Sequence, residues 1–221
     1  MTGLVENRRG SLLEWLCLSA LITLSFLGVP YWAWRLIHRS VPRFMQTHDW
    51  WNWQYHLLSL AFALLLTAGS CRRSGVRVGN IRPHWWKVLI VCGLPIAITA
   101  AVYPHLPERP FAREHIAIWL ISPLAQDLVF VGYIYGRLEP LLPGYLHRRV
   151  RVRWAIVVTA AFFAAHHLPN LQAWSAGFVA FQLGYTFLGC TVIGLSRQWT
   201  GSVLYITLSH TAVNCIAWAI D

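Results

Sequence analysis

Seven runs of apolar residues, each near the length that crosses a bilayer, decide what this chain can fold into: residues 11–34, 50–70, 86–103, 116–137, 154–171, 174–196 and 201–220. A crossing helix needs about 20 mostly apolar residues. Inside hydrocarbon the backbone must satisfy its own hydrogen bonds, so runs of this length are expected to be helices. The fold class that follows is all-α, a polytopic membrane helix bundle of about seven transmembrane helices, with residues 1–221 forming a single integral membrane domain. Composition agrees, with 57% of residues hydrophobic, only 12% charged, and 13 tryptophans. The first run is long and carries no small-residue cleavage site, so it reads as an anchor and not as a cleavable signal peptide.

A net charge of +10 invites a nucleic-acid reading, but the basic residues sit between the apolar runs and are not gathered on a soluble domain. They read as topology signals, and no nucleic-acid partner is expected. With seven crossings, thirteen of the lysines and arginines fall on the side of the amino terminus and five, Arg35, Arg39, Arg43, Arg109 and Arg113, on the other. The amino terminus is therefore expected to be cytoplasmic and the carboxyl terminus outside. A bacterial inner membrane is the expected location. The basic loop from Cys71 to Lys87 is expected to lie against anionic headgroups, and residues 138–153 form the most basic loop. Tyr31, Trp32 and Trp34 mark the end of the first run at headgroup level. The five cysteines show no CxxC spacing and read as free thiols buried in the spans.

Chemistry is concentrated in three runs. Asp127 is the only acidic residue deep inside an apolar run, and an ionisable group at that depth is expensive and usually functional. Gln126 adds a second polar group beside it, and Pro123, one turn earlier, cannot donate to the carbonyl of Trp119, so a bend is expected there. His166 and His167 end the fifth run, each four residues after a phenylalanine, Phe162 and Phe163, that could share its face. His210 and Asn214 in the last run stand i and i+4, on one face. The sixth run is rich in small residues and is expected to be central, with Gln182 its main polar group. One carboxylate, two or three imidazoles and an amide on three helices can activate water directly. The same groups can alternatively hold a divalent metal such as zinc, with Asp127, His167 and His210 as ligands and one position open, or simply pin three helices by hydrogen bonds.

The three stretches resemble the CPBP family, the CAAX-processing and bacteriocin-processing (Abi) intramembrane proteases, whose motifs run EExxxR, FxxxH and HxxxN. The first corresponds to Gln126 and Asp127, with Phe130 and Gly132 matching the frequent form EExxFRG. The second corresponds to Phe163 and His167, followed by Leu168 and Pro169, and the third to His210 and Asn214, preceded by Gly201 and Ser202. The likeness covers roughly residues 116–218, the expected catalytic core. This chain departs from the pattern where it has Gln126 for the first glutamate, Asp127 for the second and Val131 for the arginine. Loss of the arginine together with one carboxylate is electrostatically coherent.

The resemblance implies an intramembrane endopeptidase acting on a membrane-embedded protein or peptide, in or near its membrane segment or carboxyl-terminal tail. Asp127 and His167 are expected to activate water, His210 and Asn214 to stabilise the oxyanion, and Gln126 and His166 to complete the site. The alternative is a catalytically inactive relative that binds a membrane partner, as an immunity or chaperone-like factor.

Overall fold

The computed structural model describes residues 2–40, 48–106, 116–147, 149 and 151–220. The expected loop residues Arg43, Arg109 and Arg113 lie outside them. Each apolar run becomes a helix: α1 (Thr2–Ser40), α2 (His48–Ala68), a short α3 (Cys71–Ser74), α4 (Trp85–Val102) and α5 (Ile116–Asp127). The chain then runs through a π-helical stretch, Leu128–Ile134, into α6 (Tyr135–Leu138), and continues with α7 (Trp154–Ala165), α8 (Ala176–Thr200) and α9 (Leu204–Ile220). Four helical segments among the described residues are long and apolar enough to cross a membrane: 11–33, 82–105, 154–172 and 176–200. Shorter apolar helices cover 55–68 and 204–220, and α5, the π stretch and α6 together cover the fourth expected run.

The molecule is an all-α membrane bundle. Its outer surface carries exposed Leu13, Leu21, Leu24, Leu57, Leu64, Leu65, Leu89 and Ile90, the inverse of a soluble surface. Trp32, Trp85 and Trp86 are exposed near helix ends, where amphipathic rings suit the headgroup layer. The packed interior is centred on the π stretch, whose Val129 and Phe130 are fully buried along with Ala125, Leu138, Ala155, Ala160 and Ile206. Around it α2 packs on α1 and α5, α7 on α8, and α9 on α4 and α5.

Lipid tails are as apolar as leucine, so helix association in a membrane depends on close packing and interhelical hydrogen bonds. Such bonds are present. Ser209 Oγ on α9 donates to the Cys92 carbonyl of α4 at 2.6 Å, and the hydroxyls of Thr99 and Tyr185 join α4 to α8. The glycines of α8 behave less uniformly than expected. A Cβ at Gly194 would press on Ile156 of α7, whereas Gly177, Gly184 and Gly189 have nothing within 4 Å. One glycine of the stripe serves close approach, and the others leave open space.

Helix ends follow local chemistry. Ser175 caps α8 by accepting the Phe178 amide at 3.2 Å, and Gly201, at φ 73°, terminates it in the left-handed conformation that glycine adopts without strain. Ser202 then donates its Oγ to the Arg77 carbonyl at 2.6 Å and accepts the Leu204 amide at 3.1 Å. The Gly201–Ser202 pair is thus a fastener that holds the loop after α3 against the α8–α9 turn. The basic segment after α6 is not an open loop. It contains a two-stranded antiparallel hairpin, β1 (Tyr145–His147) with β2 (Val152–Arg153), and Arg153 pairs with Glu139.

Among the cysteines whose side chains are described, Cys17, Cys92, Cys190 and Cys215 are free thiols. Cys190 is buried but Cys17 is exposed on α1, so burial does not hold for every member of the set.

Candidate active site

α5 ends at Asp127, where the helix changes from α to π hydrogen bonding for seven residues. π turns inside α-helices are rare and concentrate at functional sites. Asp127 is 1% exposed. Its Oδ1 lies 3.2 Å from Nδ1 of His210 on α9, and its Oδ2 is buried with no hydrogen-bond partner among the described residues. A carboxylate can only accept, so Nδ1 of His210 carries the proton and donates it, which leaves Nε2 as the acceptor of the ring.

His210 lines a cavity of about 550 Å³ within the bundle. Gln126, His166, His167 and Asn214 line the same cavity, so five of the six expected site residues share one wall. Asp127 is not on that wall and reaches the cavity through His210. The remainder of the lining is largely aromatic and apolar, including Phe26 of α1, Trp119 of α5 and Phe178 and Phe181 of α8.

The two adjacent histidines stand just past the end of α7, where Pro169 forces the chain into a 3₁₀ turn, Leu168–Gln172. His167 Nδ1 is 3.1 Å from the Phe163 carbonyl. A carbonyl only accepts, so His167 also presents a bare Nε2. Phe163 is the hinge of the cluster, with its ring edge-on to His167 at 5.4 Å and to His210 at 5.7 Å. His166 departs from the expectation that Phe162 would be its partner. It packs between Phe26 at 5.2 Å and Phe130 at 5.5 Å, rings supplied by α1 and the π stretch, although its backbone N–H still bonds the Phe162 carbonyl at 3.0 Å. Its Nδ1 is buried with no partner among the described residues.

The imidazole that Asp127 meets is that of His210, while His167 lines the same cavity as His210. Among the described residues no three His, Cys, Asp or Glu side chains are grouped to hold a metal ion.

Gln126 Nε2 donates to Ser122 Oγ one turn back on α5, at 3.2 Å, and its amide retains a second N–H. Farther along the wall, Asn170 Nδ2 donates to Gln182 Oε1 at 2.8 Å, tying the 3₁₀ turn to α8. Several lining groups carried no signal in the sequence. His56 of α2 lines the cavity, and Tyr55, Cys190 and Ser209 line it as well. A polar residue inside an apolar run was the one cue available for His56 and Ser209, and it did not separate them from ordinary helix contacts.

The fold and the site define a polytopic membrane protein with a carboxylate-backed imidazole on the wall of an internal cavity. Residues 109–216 match the model of a family described as Rce1-like, type II CAAX prenyl endopeptidase Rce1-like. That span is the carboxyl-terminal half of the chain and holds the helices that carry Asp127, His167 and His210, so the resemblance to the CPBP membrane proteases is found over the segment where the motifs were read. No curated protein and no solved structure matches the chain.

Proposed function

We propose that this chain is an intramembrane endopeptidase whose water-activating base is His210, oriented by Asp127. The observation that carries the reading is the 3.2 Å contact between Asp127 and His210, with His210 on the cavity wall and Asp127 sealed behind it. A buried carboxylate on Nδ1 holds an imidazole in the tautomer whose Nε2 can take a proton, and it stabilises the imidazolium that forms. In the proposed reaction Nε2 of His210 removes a proton from water as the oxygen attacks the scissile carbonyl carbon. The oxyanion accepts hydrogen bonds from the side-chain amides of Asn214 and Gln126. The C–N bond then breaks, and the proton on His210 passes to the departing amine.

Gln126 fits this scheme better as a donor than as a failed base, since an amide N–H suits an oxyanion and a carboxylate does not. His167, with Nδ1 committed to a carbonyl, is a second proton acceptor on the wall, and His166 packs the cavity behind it. The substrate is the membrane segment or carboxyl-terminal tail of a membrane-associated protein, entering a cavity lined mainly by apolar and aromatic groups.

The second reading is a non-hydrolytic relative that holds a membrane partner in the same cavity, and Gln126 in place of the family's glutamate is the observation in its favour. The test uses purified protein in lipid nanodiscs with single-span peptides carrying a cleavable tail. Cleavage by the wild type that is lost in His210→Ala supports the protease. Cleavage that survives His210→Ala overturns the assignment of the base, and tight peptide binding without turnover favours the second reading.

A further inference from the structure

Away from the cavity, three helix ends meet on the amino-terminal face of the bundle. Trp15 stands near the start of the first apolar run, Arg73 follows the second within α3, and Arg137 closes the fourth within α6. Together with Gly136, Pro140 and Leu141 they line a cleft of about 170 Å³, room for roughly five waters at about 30 Å³ each. Gly136 makes the approach possible, because a Cβ there would collide with the Arg73 carbonyl. That carbonyl is already occupied by Arg197 Nη2 at 2.6 Å, which fixes α3 from below.

The guanidinium of Arg137 lies over two aromatic rings, 5.1 Å from Trp15 and 5.3 Å from Tyr133. Its Nε is buried and has no hydrogen-bond partner among the described residues. No carboxylate lines the cleft. Glu14 is exposed, and Glu139 accepts from Tyr135 and pairs with Arg153. Two arginines thus line one small cleft, one of them beside two aromatic rings and with a donor unsatisfied.

We infer that this cleft is a binding site for a phosphate group, with Arg137 as the planar fork and Arg73 as the second cation. The planar fork of a guanidinium suits bidentate contact with phosphate oxygens. The ends of three spans set the cleft at the depth of the headgroup layer, and a tryptophan flanks it as at other membrane interfaces. The site does not depend on the protease reading.

The phosphate can come from a lipid headgroup or from solution, and the experiment separates these sources. Detergent-purified, delipidated protein is titrated with dioleoylphosphatidic acid, dioleoylphosphatidylglycerol or inorganic phosphate, and bound species are counted by native mass spectrometry. One tightly retained anionic lipid per chain, with no retention of inorganic phosphate, identifies a lipid site. Retention of inorganic phosphate as well identifies a general phosphate site. The double variant Arg73→Gln/Arg137→Gln is expected to lose at least about tenfold in affinity, while Arg82→Gln/Arg149→Gln, which removes the same charge from exposed positions, keeps wild-type binding. Arg137→Lys retains charge without the fork and is expected to weaken binding too, which keeps the test decisive should the double variant fail to fold. Equal losses in the two double variants, or no preferential binding to the wild type, overturns the site.

Discussion

Replacing Asp127 by asparagine separates orientation of the base from stability of the fold. The two side chains have the same shape, so packing in a site 1% exposed is preserved. A hydrogen bond to a charged group contributes about 1.5–3 kcal/mol and a neutral one about 0.5–1.5 kcal/mol. The bond to His210 should therefore weaken by about 1 kcal/mol, partly offset because no charge is then desolvated. For a chain of this size the melting temperature should move by about 2–4 °C or less. Chemistry should suffer far more. If the new amide donates to Nδ1, the imidazole proton moves to Nε2 and the base is lost. If it accepts instead, its NH₂ takes the place of Oδ2, which has no partner among the described residues, and the imidazolium loses its counter-charge. Either way kcat for tail cleavage should fall at least about a hundredfold, near 2.7 kcal/mol in barrier, within the about 10²–10⁴ range of a positioned base. Initial rates in nanodiscs, read beside a thermal melt of the same preparation, give both numbers. A variant that cleaves within about threefold of wild type, or one that loses activity only because its melt collapses, would refute the orienting role.

Ser202→Ala removes a donor and an acceptor from a fully buried position and leaves the Arg77 carbonyl and Leu204 amide unpaired, an expected cost of about 2–4 kcal/mol; limited trypsin digestion should then cut at Arg77 before the global melt, and equal protection in variant and wild type would contradict this. Gly136→Ala should displace α6 from α3 and lower stability by about 1–3 kcal/mol, measured as a drop in melting temperature. Cys190→Ala should leave turnover within a few-fold of wild type, because the thiol is a wall of the cavity and the proposed chemistry uses water; total loss with a normal melt would point to a covalent route. Gln126→Glu places a carboxylate where the oxyanion is proposed to form, so kcat should fall about tenfold or more, whereas a gain in rate would return the base to the first motif.

The reach of sequence reasoning here followed the range of the interaction involved. The helices were legible because a bilayer imposes a length, and Asp127 stood out because a carboxylate in an apolar run is costly wherever it is placed. His210 and Asn214 were legible as a pair because i, i+4 spacing is local. Which imidazole Asp127 meets was not, since α5 and α9 bring together residues 83 positions apart, and no local period records that pairing. The neighbours of His166 were hidden for the same reason: Phe26 and Phe130 come from α1 and the π stretch, and spacing within α7 records neither. Phe26 and His56 joined the cavity from outside the recognised half of the chain, supplied by helices whose sequence shows only that they are apolar.

Because His210 stands between Asp127 and the cavity, the protein's formal charge is kept one ring away from whatever occupies the bundle. A guest meets imidazoles, amides and aromatic faces and need not strip water from an ion in order to enter. In the proposed reaction charge on that wall develops only while the proton taken from water resides on the ring, so the chamber would admit a greasy segment and turn strongly polar for one turnover alone.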